Sequence, residues 1–182
     1  RFLEFERWWG GFYLLNEEEI RWIVNNLFVG NKLAQGEARL GPGRYFDLKS
    51  IKQPIIVFAS MGDNITPPQQ AFNWIADLYS STEEIKANGQ TIVGLIHEDI
   101  GHLGIFVSGK VAKKEHAQIF EVLKHIQALP PGLYGMEIHE IQHADGEVSY
   151  DVTIHERSLE ALRRLQKYDR VDEKPFEAVA AL

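Results

Sequence analysis

Pro54-Ile55-Ile56-Val57-Phe58-Ala59 is a short, unbroken apolar run, and Thr91-Ile92-Val93-Gly94-Leu95-Ile96 is a second. Runs of this kind suit strands covered on both faces in a parallel sheet. Between them, Phe72, Ile75, Leu78 and Tyr79 share one face of a predicted helix, with Thr66 as its N-cap and Pro67 at its first position. Asn88-Gly89 ends that unit. A second helix is expected from roughly Lys110 to Ala128, burying Val111, Ile119, Phe120, Leu123 and Ile126, until Pro130-Pro131-Gly132 stops it. Strand, helix, strand, helix is the grammar of a parallel α/β sheet.

Two flanking regions differ from this core at 47–130. Residues 1–46 hold ten of the twenty aromatics, so they read as a region of their own. In it, Ile20, Ile23, Val24, Leu27 and Phe28 recur at helical spacing behind Asn16, an N-cap followed by three glutamates. Trp8, Trp9, Phe12 and Tyr13 fit either a local core or a cap over an apolar acyl-binding pocket, which Gly10-Gly11 would let bend. The stretch from Gly36 to Gly43 reads as a loop, because Gly41-Pro42-Gly43 cannot sit inside a helix. Residues 131–182 break the parallel grammar. Met136 to Gln142 and the alternating Val148, Tyr150, Val152 and Ile154 form an expected antiparallel hairpin around Ala144-Asp145-Gly146-Glu147. A charged helix with Leu159, Leu162 and Leu165 on one face follows as part of the same appendage.

The 182 residues are enough for one sizeable core. A net charge of -7 without any Lys/Arg run argues against nucleic acid or an anionic membrane surface as partner. No apolar stretch approaches the ~20 residues of a membrane span, no signal peptide is visible, and a cytoplasmic location is expected. The absence of cysteine excludes disulfides and thiolate metal sites within these residues. No cofactor and no metal are expected. The chain opens on Arg1 and closes on Glu177-Ala178-Val179-Ala180-Ala181-Leu182, which reads as a helix barely begun, so both ends look cut.

The chemistry collects where the two apolar runs end. Gly62-Asp63-Asn64-Ile65-Thr66-Pro67-Pro68 follows the first, and Gly101-His102 follows the second. Reactive residues of open parallel sheets sit beyond the carboxyl ends of strands. Asp63 and His102 are an acid and a base in the order nucleophile, Asp, His used by α/β-hydrolases. The carboxylate would hold the imidazole in one tautomer, and the imidazole would move the proton of a nucleophile. His97 competes with His102, being nearer the strand end, but Gly101 and Gly104 suit a loop brought close to a substrate. A Gly-x-Ser-x-Gly elbow is missing, so the nucleophile, Ser or Cys, is expected upstream and these residues alone are expected to be inactive.

Through Asn25-Asn26-Leu27, the glycine-rich stretch to Gly43, Phe46-Asp47-Leu48-Lys49-Ser50-Ile51, the strand from Pro54, Gly62 to Pro67 and the Gly101-His102 loop, the chain resembles the poly(3-hydroxyalkanoate) synthases and an uncharacterised bacterial branch related to them. The resemblance covers roughly residues 20 to 108. It implies the C-terminal part of an α/β-hydrolase fold, with Asp63 as the triad acid and His102 as the base. It also implies acyl ester or acyl thioester substrates, CoA-linked ones included, and in the synthases proper an upstream cysteine. Leu103 stands where that family has Ile, its proline-rich stretch after the histidine is missing, and the segment after 133 matches nothing in it. The competing class is a non-catalytic binding or scaffolding protein of the same fold. His139-Glu140-Ile141-Gln142-His143 matches the zinc-peptidase pattern, but that chemistry needs a helix and the surroundings read as strand.

Overall fold

The computed structural model describes residues 2–11, 14–29 and 31–164. Phe12, Tyr13, Leu165 and the final helix read at Glu177 to Leu182 lie outside the described residues, as does the side chain of Trp9. The chain divides into two compact units, Arg1–Phe46 with Glu173–Leu182, and Asp47–Asp172.

In the first unit, α1 spans Phe2–Trp9 and α2 spans Glu17–Ile23. Asn16 starts α2 with a reciprocal cap. Its side chain accepts the Glu19 N–H at 2.8 Å while the Glu19 carboxylate accepts the Asn16 N–H at 2.9 Å. The helical path continues as a π turn over Val24–Phe28. The stretch expected as a loop contains a small antiparallel hairpin, β1 (Arg39–Gly41) with β2 (Arg44–Tyr45). Pro42 and Gly43 make its turn, and Gly43 takes the left-handed conformation (φ 68°) that a turn of this kind requires after proline. Phe2 and Trp8 are exposed in this unit, the Trp8 ring lying 5.8 Å from that of Phe5.

The second unit runs β3 (Ile55–Ser60), α3 (Pro68–Leu78), α4 (Thr82–Ala87), β4 (Thr91–His97), α5 (Gly104–Val107), α6 (Gly109–Val111), a π turn over Ala112–His116, α7 (Ala117–Glu121), α8 (Leu123–Ala128), β5 (Gly132–Gln142), β6 (Val148–Glu156) and α9 (Leu159–Arg164). Its sheet has the order β3-β4-β5-β6. The first three strands are parallel and β6 is antiparallel. Alternate side chains feed two cores. Ile92, Ala59 and Leu133 pack with Phe72, Ile75, Ile85, Leu159 and Leu162 from α3, α4 and α9. Val93, Leu95, Met136 and Ile138 pack with Ile126 of α8 on the other face. The fold is therefore mixed α/β, a mostly parallel sheet with helices on both sides. No helix among the described residues is long and apolar enough to cross a membrane.

Three expectations need correction. The hairpin is not an appendage beginning at 131. Pro130-Pro131 ends the helix, and Gly132 to Met136 pair in parallel with Thr91 to Leu95 before the strand goes on to meet β6. One long strand serves two neighbours, and its buried first half gives no alternation to read. Thr66 does not cap α3: Pro67 occupies that position without a side-chain cap bond, and Pro68 is the first helical residue. Phe120 is exposed, not buried. The inward row is Val111, Glu115, Ile119, Val122 and Ile126, so a carboxylate occupies a place that a hydrophobic pattern assigns to an apolar group.

Candidate active site

Asp63 sits three residues beyond the end of β3, in a turn closed by its own N–H to the Ser60 carbonyl at 3.2 Å. Its side chain has no solvent exposure and accepts four hydrogen bonds. Oδ1 takes the N–H groups of Ile65 and Thr66, both at 2.9 Å. Oδ2 takes the Thr66 hydroxyl at 2.7 Å and Nδ1 of His102 at 2.8 Å. Burial alone pushes this carboxyl up. The Thr66 N–H, His102, the Thr66 hydroxyl and the Ile65 N–H outweigh it and hold the group well below the usual carboxylate range. Asp63 is an anion at neutral pH.

An ionised carboxylate only accepts, so His102 carries its proton on Nδ1, leaving the Nε2 lone pair open. Thr66 Oγ1, 3.0 Å from Nδ1, already donates to Asp63 and can only accept there. The His102 side chain is 31% exposed, and among the described residues nothing hydrogen-bonds its Nε2. A buried carboxylate thus fixes the tautomer of a partly exposed imidazole whose other nitrogen is unpartnered among the described residues.

The loops that hold these groups are locked together. The Ser60 hydroxyl donates to the Ile100 carbonyl at 2.7 Å and accepts the Gly62 N–H at 3.2 Å. A Cβ on Gly62 would lie 2.3 Å from the backbone of Asp99, so only glycine permits this approach. These hydroxyls are spoken for. Ser60 is used in the loop, Thr66 lies on the Nδ1 side of the imidazole, and neither is placed to be the nucleophile of His102 Nε2.

His97 and His102 differ in which ring nitrogen is engaged. His97 Nδ1 accepts from the N–H groups of Asp99 and Ile100 at 3.2 and 3.3 Å, and Nε2 faces Glu115. It has no free basic nitrogen. Thr66 is the partner that sequence reasoning missed, because Thr before Pro reads as a cap. The Asp-x-x-Thr spacing of a side-chain-to-amide turn was the available signal.

Residues 1–182 match the family described as protein of unknown function (DUF3141). The chain belongs to that family. It is 47% identical over 187 residues to the "Uncharacterized protein in ackA 5'region" of Rhizobium meliloti, a match covering 99% of this chain and 25% of that protein. The chain thus spans about a quarter of the length of this relative. No solved structure matches it.

The His-Glu-x-x-His segment lies on and just after β5, not on a helix. Four residues along a strand span about 13 Å. His139 pairs across the sheet with Asp151, and His143 Nε2 lies 2.7 Å from Ser149 Oγ. Among the described residues no group of three His, Asp or Glu side chains is arranged to hold a metal ion.

Proposed function

We propose that this chain is the C-terminal, acid-and-base-bearing part of an α/β-hydrolase-type acyltransferase or hydrolase related to the polyhydroxyalkanoate synthases. The observation that carries the reading is the 2.8 Å contact between a buried, ionised Asp63 and Nδ1 of a partly exposed His102. Both residues lie beyond the carboxyl ends of adjacent parallel strands, where such sheets hold reactive groups. In this reading a Ser or Cys upstream attacks the carbonyl of an acyl ester or thioester. His102 Nε2 takes the nucleophile's proton, Asp63 stabilises the imidazolium, and the same proton passes to the departing alcohol or thiol. The nucleophile lies outside these residues, which by themselves turn nothing over.

The test uses the full-length protein with p-nitrophenyl butyrate and 3-hydroxybutyryl-CoA as probes. His102→Ala is expected to abolish turnover of whichever probe is consumed while leaving the melting temperature in place. Retained turnover overturns the assignment. Failure to consume either probe, together with no Gly-x-Ser-x-Gly or Gly-x-Cys-x-Gly elbow upstream, favours a binding protein of the same fold.

A further inference from the structure

His97 is the last residue of β4, and the loop from Glu98 to Leu103 delivers His102. Its Nδ1 accepts amides two and three residues ahead, Asp99 at 3.2 Å and Ile100 at 3.3 Å. That is the spacing at which an Asn or Asp side chain caps a turn. Accepting at Nδ1 places the neutral ring's proton on Nε2, which lies 3.6 Å from Glu115 Oε1. The distance is long for a hydrogen bond, so the neutral Nε2–H faces the carboxylate without a full bond to it. Glu115 is 2% exposed and lies on the inward row with the buried Val111 and Ile126. A carboxylate is costly in such a row unless partners compensate it. Lys114 Nζ, 3.7 Å away, is the cation beside it, and the exposed Asp99 carboxylate lies 3.4 Å from His97 Nδ1.

The loop is fixed from the other side as well. Ser60 holds the Ile100 carbonyl, and the Met61 N–H donates to the His97 carbonyl at 2.9 Å. Both polar groups of the Ile100 backbone are therefore engaged two residues before His102.

We infer that His97 is a positioning residue for His102. Its Nδ1 caps the loop that sets the imidazole against Asp63, while its Nε2 faces Glu115. The inference rests on the proposed Asp63–His102 reading.

The two ring nitrogens can be tested separately. An Asn Oδ1 is attached where His Nδ1 is, and a Gln Oε1 reaches toward the place of Nε2. In the full-length protein, His97→Ala should lower kcat about 10- to 100-fold with KM unchanged, since a loop displacement near 1 Å costs about that much. His97→Asn should recover most of the loss and His97→Gln should not. A purely packing role orders them the other way, because Gln fills more of the ring's volume. Hydrogen exchange of the peptide covering 98–103 reads the same variants without turnover: fast in Ala and Gln, slow in Asn. Gln restoring better than Asn, or all three behaving as wild type, overturns the inference. If Ala does not fold, the Asn and Gln comparison still decides. His102→Ala separates the two failures. Turnover surviving there sinks the dyad, whereas turnover lost there but indifferent to His97 sinks only the positioning role.

Discussion

Asp63→Asn is the sharpest perturbation of the dyad, because it changes one atom of a group that makes four hydrogen bonds. Oδ1 remains an acceptor, so the Ile65 and Thr66 amides at 2.9 Å keep their partner and the turn survives. The Thr66 hydroxyl, 2.7 Å from Oδ2, can reverse and accept from the new amide. Only the bond from His102 Nδ1 cannot be rescued, since a donor now faces a donor. One charge-assisted hydrogen bond is lost, worth about 1.5–3 kcal/mol. The imidazole recovers a bond only by moving its proton to Nε2, which turns the outward nitrogen from a base into a donor. A tautomer error of this kind costs about 10⁴-fold in kcat where an Asp–His pair drives acyl transfer. The expected protein is folded, slightly less stable and nearly inert. Asp63→Ala should differ in kind. It strands two buried amides, each costing about 1–3 kcal/mol, and so should fail in stability as well as in turnover. Melting temperature and kcat on p-nitrophenyl butyrate, measured together on the full-length variants, separate the cases. An Asn variant within tenfold of the wild-type kcat would refute the tautomer argument.

Gly62→Ala should bring the two loops into collision. Its Cβ would sit 2.3 Å from the Asp99 carbonyl, so backbone must yield by roughly 1 Å, at a cost of about 1–3 kcal/mol. A crystal structure of that variant with the Asp63–His102 contact unchanged would contradict this account. Glu84 is held down to about 2, first by Lys49 at 2.7 Å and then by the Ser80 N–H and hydroxyl. A depressed folded value contributes stability above the ordinary 4.5 that is lost as pH falls toward about 2. Glu84→Gln should therefore flatten the pH dependence of unfolding in that window and leave it alone above pH 5. An unchanged acid limb would show that the Lys49–Glu84 pair contributes nothing measurable.

What could be read from sequence followed how local each signal is. The runs at Ile55–Ser60 and Thr91–His97 announce strands from composition alone, although the first is mostly half-buried, and the loops beyond their ends carry Asp63 and His102. Gly132 to Gly135 escaped notice because a strand covered on both faces loses its alternation, while its outer half, read with β6, keeps it. Phe120, expected inside, is exposed and Glu115 takes an inward position for a related reason. Hydrophobic periodicity assigns inward positions by side-chain type, and a buried carboxylate facing an imidazole runs against that rule. Thr66 was visible but misassigned, since a hydroxyl before proline fits a helix cap and a carboxylate partner equally well until the backbone is placed.

The two histidines of the β4 end show why residue type alone does not decide a catalytic role. His97 and His102 share one loop, and each has a buried carboxylate in reach, Glu115 for one and Asp63 for the other. They differ in which nitrogen meets the carboxylate. At His102 it is Nδ1, so the proton is held inside and the lone pair is left on the outward nitrogen. At His97 two backbone amides claim Nδ1, the proton is left on Nε2, and Nε2 meets the acid. The same pair of side chains becomes a base in one orientation and a loop cap in the other. A nucleophile must therefore approach His102 Nε2, and the hydroxyls of Ser60 and Thr66 are already committed. In the proposed reading, the Ser or Cys that completes the site is presented to that one nitrogen.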